Sequence, residues 1–354
     1  MVAKPQVAQR QLNTLDAPRR VAIVLNGNAR AVTTGVVRSL RELLADPGSL
    51  YVSQSLEQGR FIARHIVNRG YDVVLSGGGD GTFCQIVSDV TALRPHRLPA
   101  FGVLRLGTGN ALAQVLEASP ATHEGLAADL QRAQRSRTTR PLNMLRVEGR
   151  LAPFAGAGLD ALILSDYNAT RRSLNSTPLG RVMLGGPGYA LSIATRSLWR
   201  FTTQPWPEVT IRNDGAPTRR IDLQGRPTGP VMARGEILYR GPVAIAAAST
   251  IPFYGLGLRL FPQVEHSVDR FQLRVGHIGP LSVLTRLPAL FAGTLDDPGI
   301  HDFLCTAVTI ELTRPAPLQV GGDEIGDRSR IRIGMDRVPV ISDRGCSRVT
   351  WGHT

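Results

Sequence analysis

The chain has 354 residues, 42% of them apolar, and its 41 Lys and Arg against 28 Asp and Glu give a formal net charge of +13. That apolar content, with a mean hydropathy near zero, excludes a disordered chain and is enough for two domains with cores of their own. The positive charge is nearly all arginine; with few aromatic residues, no zinc-finger spacing and no densely basic helix, it argues against nucleic acid and leaves an anionic membrane leaflet, or plain solvation, as its use.

Residues 1–19 are polar and expected to be disordered; residues 20–141 are expected to form one domain. Val21-Ala22-Ile23-Val24-Leu25 predicts a buried parallel strand ending in Asn26-Gly27-Asn28-Ala29. Helical spacing follows over Gly35 to Ala45, then a strand over Leu50 to Ser53 and a helix over Leu56 to Arg69, with Phe61, Ile62, His65 and Ile66 at helical intervals. A strand over Asp72 to Leu75 runs into Ser76-Gly77-Gly78-Gly79-Asp80-Gly81-Thr82, followed by a helix over Thr82 to Val90. A strand over Phe101 to Leu106 runs into Gly107-Thr108-Gly109-Asn110-Ala111 and a helix over Asn110 to Leu116. Strand alternating with helix predicts a Rossmann-like parallel sheet whose ligands bind at the carboxyl ends of its strands, where all three polar-glycine segments fall.

The first glycine loop lets the backbone approach a ligand with its N–H groups free, while Asp80 among those donors makes sense with Mg²⁺ or a hydroxyl nearby. A tight turn would use the glycines for geometry alone. Neither loop is a Walker A sequence, since no Gly-Lys-Ser/Thr follows, and the second lacks the third glycine of a dinucleotide fingerprint. A polyphosphate site outside both common classes is implied.

From Pro141 strand-like segments follow one another, over Leu142 to Val147, Pro207 to Arg212, Arg219 to Leu223, Val243 to Ala248, Phe271 to His277, Thr306 to Leu312 and Ser329 to Met335. They predict a second domain over residues 142–345, an antiparallel β-sandwich with helices at Asp160 to Ala169, Gly188 to Trp199 and Leu281 to Ala292. Whether its last strands return to the first domain stays open. Thr170 to Gly188 reads as a lid, a membrane-facing loop or a plain surface loop. Arg132, Arg135, Arg137 and Arg140 cluster at the domain boundary, where membrane attraction and solvation are the alternatives.

Cys84, Cys305 and Cys346 are widely spaced without a CxxC pair, and Met1 to Arg20 lacks a signal-peptide core, so a reduced cytoplasmic setting is expected. Val182 to Thr195 is too short to span a bilayer, and Gly241 to Leu258 is broken by Pro242, Pro252 and glycines. Contact with the inner face of the membrane without crossing it is therefore the expectation. The seven histidines show no metal-ligand spacing.

These segments resemble the diacylglycerol kinase catalytic-domain family, which takes in diacylglycerol, sphingosine and ceramide kinases. Gly78-Gly79-Asp80-Gly81-Thr82 matches the family's GGDGT loop, Leu106-Gly107-Thr108-Gly109-Asn110 its second nucleotide loop, and Leu25-Asn26-Gly27-Asn28-Ala29 its first-strand motif with Gly27 for Pro. Gly158-Leu159-Asp160-Ala161 is similar to the element near the acceptor pocket, and Tyr254 to Pro262 to a glycine-rich segment running into Pro. Gln319-Val320-Gly321-Gly322-Asp323 stands at the Asp-Gly-Glu motif. Three departures stand out: Ala111 and Asn143 are worded as in sphingosine kinases, Arg270 replaces the Gly after Asp269, and Asp-Gly-Glu has become Gly-Gly-Asp.

The resemblance implies ATP-dependent phosphorylation of a primary hydroxyl on a membrane lipid, whether a sphingoid base, ceramide or diacylglycerol, with Mg²⁺ as cofactor. By that resemblance Asn26, Ser53, Gly77, Gly78, Gly79, Gly81, Thr82, Thr108 and Asn110 bind ATP and Asp80 organises Mg²⁺. Asp323 is the general base, with Glu324 as a one-residue alternative. Asp160 lines the acceptor pocket or caps a helix, and Asp269 holds a structural Mg²⁺ or is a surface carboxylate. The alternatives are a soluble-substrate kinase, since NAD kinases share a related GGDGT loop, and a homologue that binds nucleotide or membrane without turnover. A homodimer stays open.

Overall fold

The computed structural model describes residues 18–107, 111–158, 207–254, 259–278 and 285–342. The chain divides into two compact units, one gathering residues 1–107, 116–142 and 338–349, the other residues 108–115, 143–337 and 350–354.

The first unit is built on parallel strands. β1 (Val21–Asn26) lies between β2 (Leu50–Ser53) and β3 (Val73–Gly78), and β3 pairs with β4 (Ala100–Arg105), all parallel. Val340, near the end of the last strand of the chain, pairs in parallel with Phe101. The Val, Ile and Leu runs of β1 and β3 are buried on both faces, as strands covered by helices must be. Ile23, Leu25, Leu75, Leu104 and Ile341 share one core with Leu40, Leu126 and Leu130 from the helices.

Local signals set the helices. α1 (Thr34–Leu43) is capped by the Thr33 side chain, which accepts from the Val36 N–H; α2 (Leu56–Arg69) is capped by Ser55 and ends at Gly70, whose φ of 61° is the left-handed cap that glycine adopts without strain. α3 (Asp80–Ala92) begins two residues before the expected Thr82, because Asp80 suits the positive end of a helix. The short α4 (Ala111–Val115) belongs to the second unit.

α5 (His123–Arg135) is an element the sequence reading did not propose. Its apolar positions, Leu126, Leu130 and Ala133, lie at i, i+4 and i+7 among charged and polar residues. The Thr122 hydroxyl caps its start. Buried Asp129 accepts from the N–H and hydroxyl of Ser119 and pairs with Arg132 at 2.6 Å. The boundary cluster of arginines is thus partly consumed inside the unit: Arg132 is spoken for, and burial lowers the pKa of Arg140.

The second unit is antiparallel. β5 (Thr139–Val147) enters it and turns into β6 (Arg150–Ala152). β7 (Phe154–Gly158) pairs with β12 (Ile245–Ser249) and with β15 (Ala307–Val320). β15 also pairs with β8 (Glu208–Asn213) and β16 (Asp323–Ile341), and β8 with β11 (Ile237–Pro242). On the other side of β12 come β13 (Phe271–Gly276), β14 (Ile300–Cys305), β9 (Thr218–Ile221) and β10 (Pro227–Met232). Arg274 and Asp302, opposite each other on β13 and β14, form a buried pair at 2.8 Å, and Gln272 donates a further hydrogen bond to the carboxylate. Such a pair fixes strand register more than it adds stability.

The strands β6, β7, β10, β11 and β14 were not expected. β7 reads Phe-Ala-Gly-Ala-Gly and faces the alanines of β12, so neither strand shows the polar alternation by which strands are found. The helices expected at Asp160 to Ala169 and Gly188 to Trp199, and the connector between them, lie outside the described residues. Of the helix expected over Leu281 to Ala292, the described part is α6 (Leu287–Ala292), closed by Gly293 in the left-handed region.

Candidate active site

In the first unit the polar segments after β1, β2, β3 and β4 lie at the carboxyl ends of a single parallel sheet. They are tied together. The Asn26 side-chain amide donates to the Thr82 hydroxyl at 3.2 Å, and its oxygen accepts from the Asn28 N–H at 3.0 Å. The Gly27 N–H donates to the Ser53 carbonyl at 2.8 Å, and the Asn28 amide to the Gln54 carbonyl at 2.9 Å. The Ser53 hydroxyl donates to the Ser55 carbonyl at 2.8 Å, so it helps shape the turn into α2.

The glycines of the loop differ in what surrounds them. A Cβ on Gly77 would lie 2.4 Å from Leu25 Cδ2, and one on Gly78 2.4 Å from Thr82 Oγ1. These two glycines exist for packing. A Cβ on Gly79 would lie 4.0 Å from the Gly107 Cα, an ordinary van der Waals distance, so the two glycine loops come together here. Gly79 is also the N-cap of the 13-residue α3, with no side chain closing that end; its carbonyl accepts from the Thr82 N–H at 2.9 Å. An open helix start of this kind, next to a second glycine loop, suits an anionic phosphate. Asp80, half-buried in the first turn, brings a carboxylate to the same edge. Thr108, Asn110 and Asp160 lie outside the described residues.

The second unit carries Asp323 at the start of β16. Gly321 and Gly322 make the two-residue turn between Val320 and Asp323, with φ of 60° and 89°. Two consecutive positive φ angles demand glycine; the Gly-Gly departure from the family motif is therefore a hairpin turn. Asp323 keeps half its side-chain surface, yet partial desolvation raises its pKa, against the pull of the Arg150 guanidinium 3.8 Å away. Glu324 follows it on the strand, so the two carboxylates point to opposite faces.

Three residues of this site escaped the sequence reading. Arg150 is one. Gln319, only 2% exposed, is the second: its Oε1 accepts from the Gly322 N–H at 3.0 Å and its amide meets the Tyr254 hydroxyl. Tyr254, the third, packs between Phe154 and Phe261, with ring centroids 4.8 and 5.7 Å away. A lone Gln inside a β-strand gives no sequence signal that it locks a turn three residues on. Asp269 is ion-paired with Arg337, and Arg270, which replaces the family's Gly, donates to the carbonyls of Pro217 and Leu304 at 3.0 Å each. Among the described residues no group of three His, Cys, Asp or Glu side chains gathers as a metal site.

Two glycine loops lie at the carboxyl ends of a parallel sheet, one of them opening a helix, an arrangement that suits an anionic ligand. Residues 20–146 match the model of the diacylglycerol kinase catalytic domain. Over 92 residues it is 33% identical to the "Probable lipid kinase YegS-like" of Yersinia enterocolitica, a match covering 25% of this chain and 30% of that relative. The match thus spans less than a third of the relative's length. Among solved structures, a chain from Bacillus anthracis str. Sterne assigned as a diacylglycerol kinase superposes with a TM-score of 0.62 at 14% identity, covering 92% of this chain and 98% of its own. Another, described as a diacylglycerol kinase of the same organism, gives 0.58 at 14% identity, covering 92% and 97%. At such identity the likeness shows the fold: parallel strands in the N-terminal half, antiparallel strands in the C-terminal half.

Proposed function

We propose that the protein is an ATP-dependent lipid kinase that phosphorylates a primary hydroxyl of a sphingoid base, ceramide or diacylglycerol. The observation that carries this reading is the approach of the two glycine loops at Gly79 and Gly107, beside the start of α3, where no side chain makes a capping hydrogen bond. A polyphosphate suits this place because the N–H groups of a helix start favour an anion. One carboxylate at that edge suits Mg²⁺, which keeps most of its water and binds through phosphates plus one or two carboxylates.

Bound ATP with Mg²⁺ supplies the γ-phosphoryl group. The Gly77 to Thr82 loop and α3 hold the phosphates, with Thr108 and Asn110 serving the same nucleotide from the second loop. Asn26 and Ser53 fix the loops that frame it, and Asp80 orders the metal's water. In phosphoryl transfer positioning and charge neutralisation do most of the work, and a base assists the acceptor hydroxyl. Asp323 takes that proton. Burial raises its pKa, which makes it a stronger base than an ordinary Asp, while Arg150 opposes that rise. These features favour it over Glu324. Asp160 contacts the acceptor. Asp269 serves a structural Mg²⁺ only if it gives up Arg337, and the ion pair favours the plainer role.

Among the described residues no helix is long and apolar enough to cross a bilayer. We place the protein in the cytoplasm, in peripheral contact with the anionic inner face of the membrane, as a monomer or homodimer. Transfer of labelled phosphate from ATP to a panel of diacylglycerol, sphingosine, ceramide and NAD tests the reading. Lipid product supports it; NAD as the acceptor, or ATP binding without transfer to any acceptor, replaces it with one of the two rival readings.

A further inference from the structure

The second unit presents an arginine-lined sheet face that none of the roles above uses. On β8, β15 and β16 the residues Ile211, Ile310 and Ile331 stand in one cross-strand row and are at most 1% exposed. The rows on either side of them lie on the opposite face, where Arg240, Arg330 and Arg332 are exposed, Thr210, Arg212 and Glu311 half-buried, and Thr309 buried. Arg240, Thr210, Glu311 and Arg330 form one, across β11, β8, β15 and β16; Arg212, Thr309 and Arg332 form the other. Four guanidinium groups thus meet Glu311, 3.5 Å from Arg330, with exposed Glu208 further along the same face of β8 and half-buried Asp214 at the rim taking the Thr309 hydroxyl. Arg212, Arg240 and Arg332 have no ion-pair partner among the described residues. The neighbouring arginines do: Arg328 pairs with Glu148 and Arg146 with Asp336.

We propose that the outer face of the β11–β8–β15–β16 sheet is the surface on which the protein sits on an anionic lipid bilayer. The inference rests on the lipid-kinase reading for its choice of a bilayer over other polyanions. A sheet face is broad rather than grooved, with strands about 4.8 Å apart, so Arg212 and Arg332 stand about 10 Å from each other. Such a spread of unpaired cations meets a plane of phosphates. Nucleic acid fits less well, because none of the seven residues in these two rows is aromatic and bases find nothing to stack on. The exposed guanidinium groups carry no fold-determining contact, and each adds attraction to a negative leaflet that salt weakens.

The test is co-sedimentation of the full chain with phosphatidylglycerol/phosphatidylcholine vesicles, against phosphatidylcholine alone, for the natural sequence and for Arg212→Gln/Arg240→Gln/Arg332→Gln. The expected result is binding to the anionic vesicles only, lost about tenfold or more in the variant. Circular dichroism and turnover of a water-soluble short-chain acceptor should stay as in the natural sequence. Equal vesicle binding by the variant overturns the proposal, as does an unbound natural chain, or binding to a 20-nucleotide RNA that the variant loses while vesicle binding is absent. If no lipid is phosphorylated yet the variant still loses vesicle binding, the surface stands and the kinase reading falls.

Discussion

The Asn26 amide donates to the Thr82 hydroxyl at 3.2 Å, joining the end of β1 to the first turn of α3 across 56 positions of sequence. Through this bond two motifs that lie far apart in the chain act as one frame around the glycine loop. Asn26→Ala or Thr82→Val should cost about 1 kcal/mol of stability, the usual worth of such a bond. The loss of ATP affinity should be larger, because the loop is no longer held. Thermal unfolding and ATP titration of both variants check this; unchanged ATP affinity would separate the bond from the site.

Gly78 and Gly79 are neighbours with opposite roles. A Cβ on Gly78 collides with Thr82 at 2.4 Å, so Gly78→Ala should lower stability by about 1–3 kcal/mol through overpacking. On Gly79 it meets nothing closer than the Gly107 Cα at 4.0 Å, so Gly79→Ala should fold as before and lose nucleotide binding. The contrast between melting temperature and ATP affinity in the two variants reads this directly.

Much of this was legible in the sequence. The Val and Ile runs ending in glycine announced the parallel sheet and the loops at its carboxyl ends, because buried strands leave local marks. The strands of the second unit were harder to see. β7 and β12 are built of Ala and Gly, whose strand character comes from the neighbours they pair with. The contacts of Gln319, Arg150 and Tyr254 were not legible, since their partners lie 3 to 173 positions away and the folded sheet alone brings them together. The arginine total did not show which cations are paired: Arg132 pairs with Asp129, while Arg212, Arg240 and Arg332 on β8, β11 and β16 have no ion-pair partner among the described residues.

Burial raises the Asp323 pKa and Arg150 lowers it. The folded state therefore holds this proton more tightly than the unfolded chain. Its contribution to stability is largest below the ordinary Asp pKa and declines as pH rises through the raised folded value. Asp323→Asn should flatten that decline in pH-dependent unfolding. With Asp323 as base, kcat/KM should rise with pH through the same pKa, and Arg150→Met should shift that acid limb upward. An acid limb unmoved in Arg150→Met would assign it to another group.

Gln319 holds the Gly321-Gly322 turn from inside the unit. Gln319→Leu leaves the Gly322 N–H without its partner and should cost about 1–3 kcal/mol. Turnover should fall with the ATP KM nearly unchanged, since the residue acts through Asp323. Steady-state kinetics beside thermal unfolding test the split; a fall in ATP affinity alone would contradict it.

The central claim is transfer of the ATP γ-phosphate to a lipid hydroxyl at a site organised by Asp80. Labelled-ATP transfer to the lipid panel, with Mg²⁺ and detergent, should give phosphorylated lipid from the natural chain and none from Asp80→Asn, with the two melting alike. Absence of product from every lipid, or full activity in Asp80→Asn, would contradict the account.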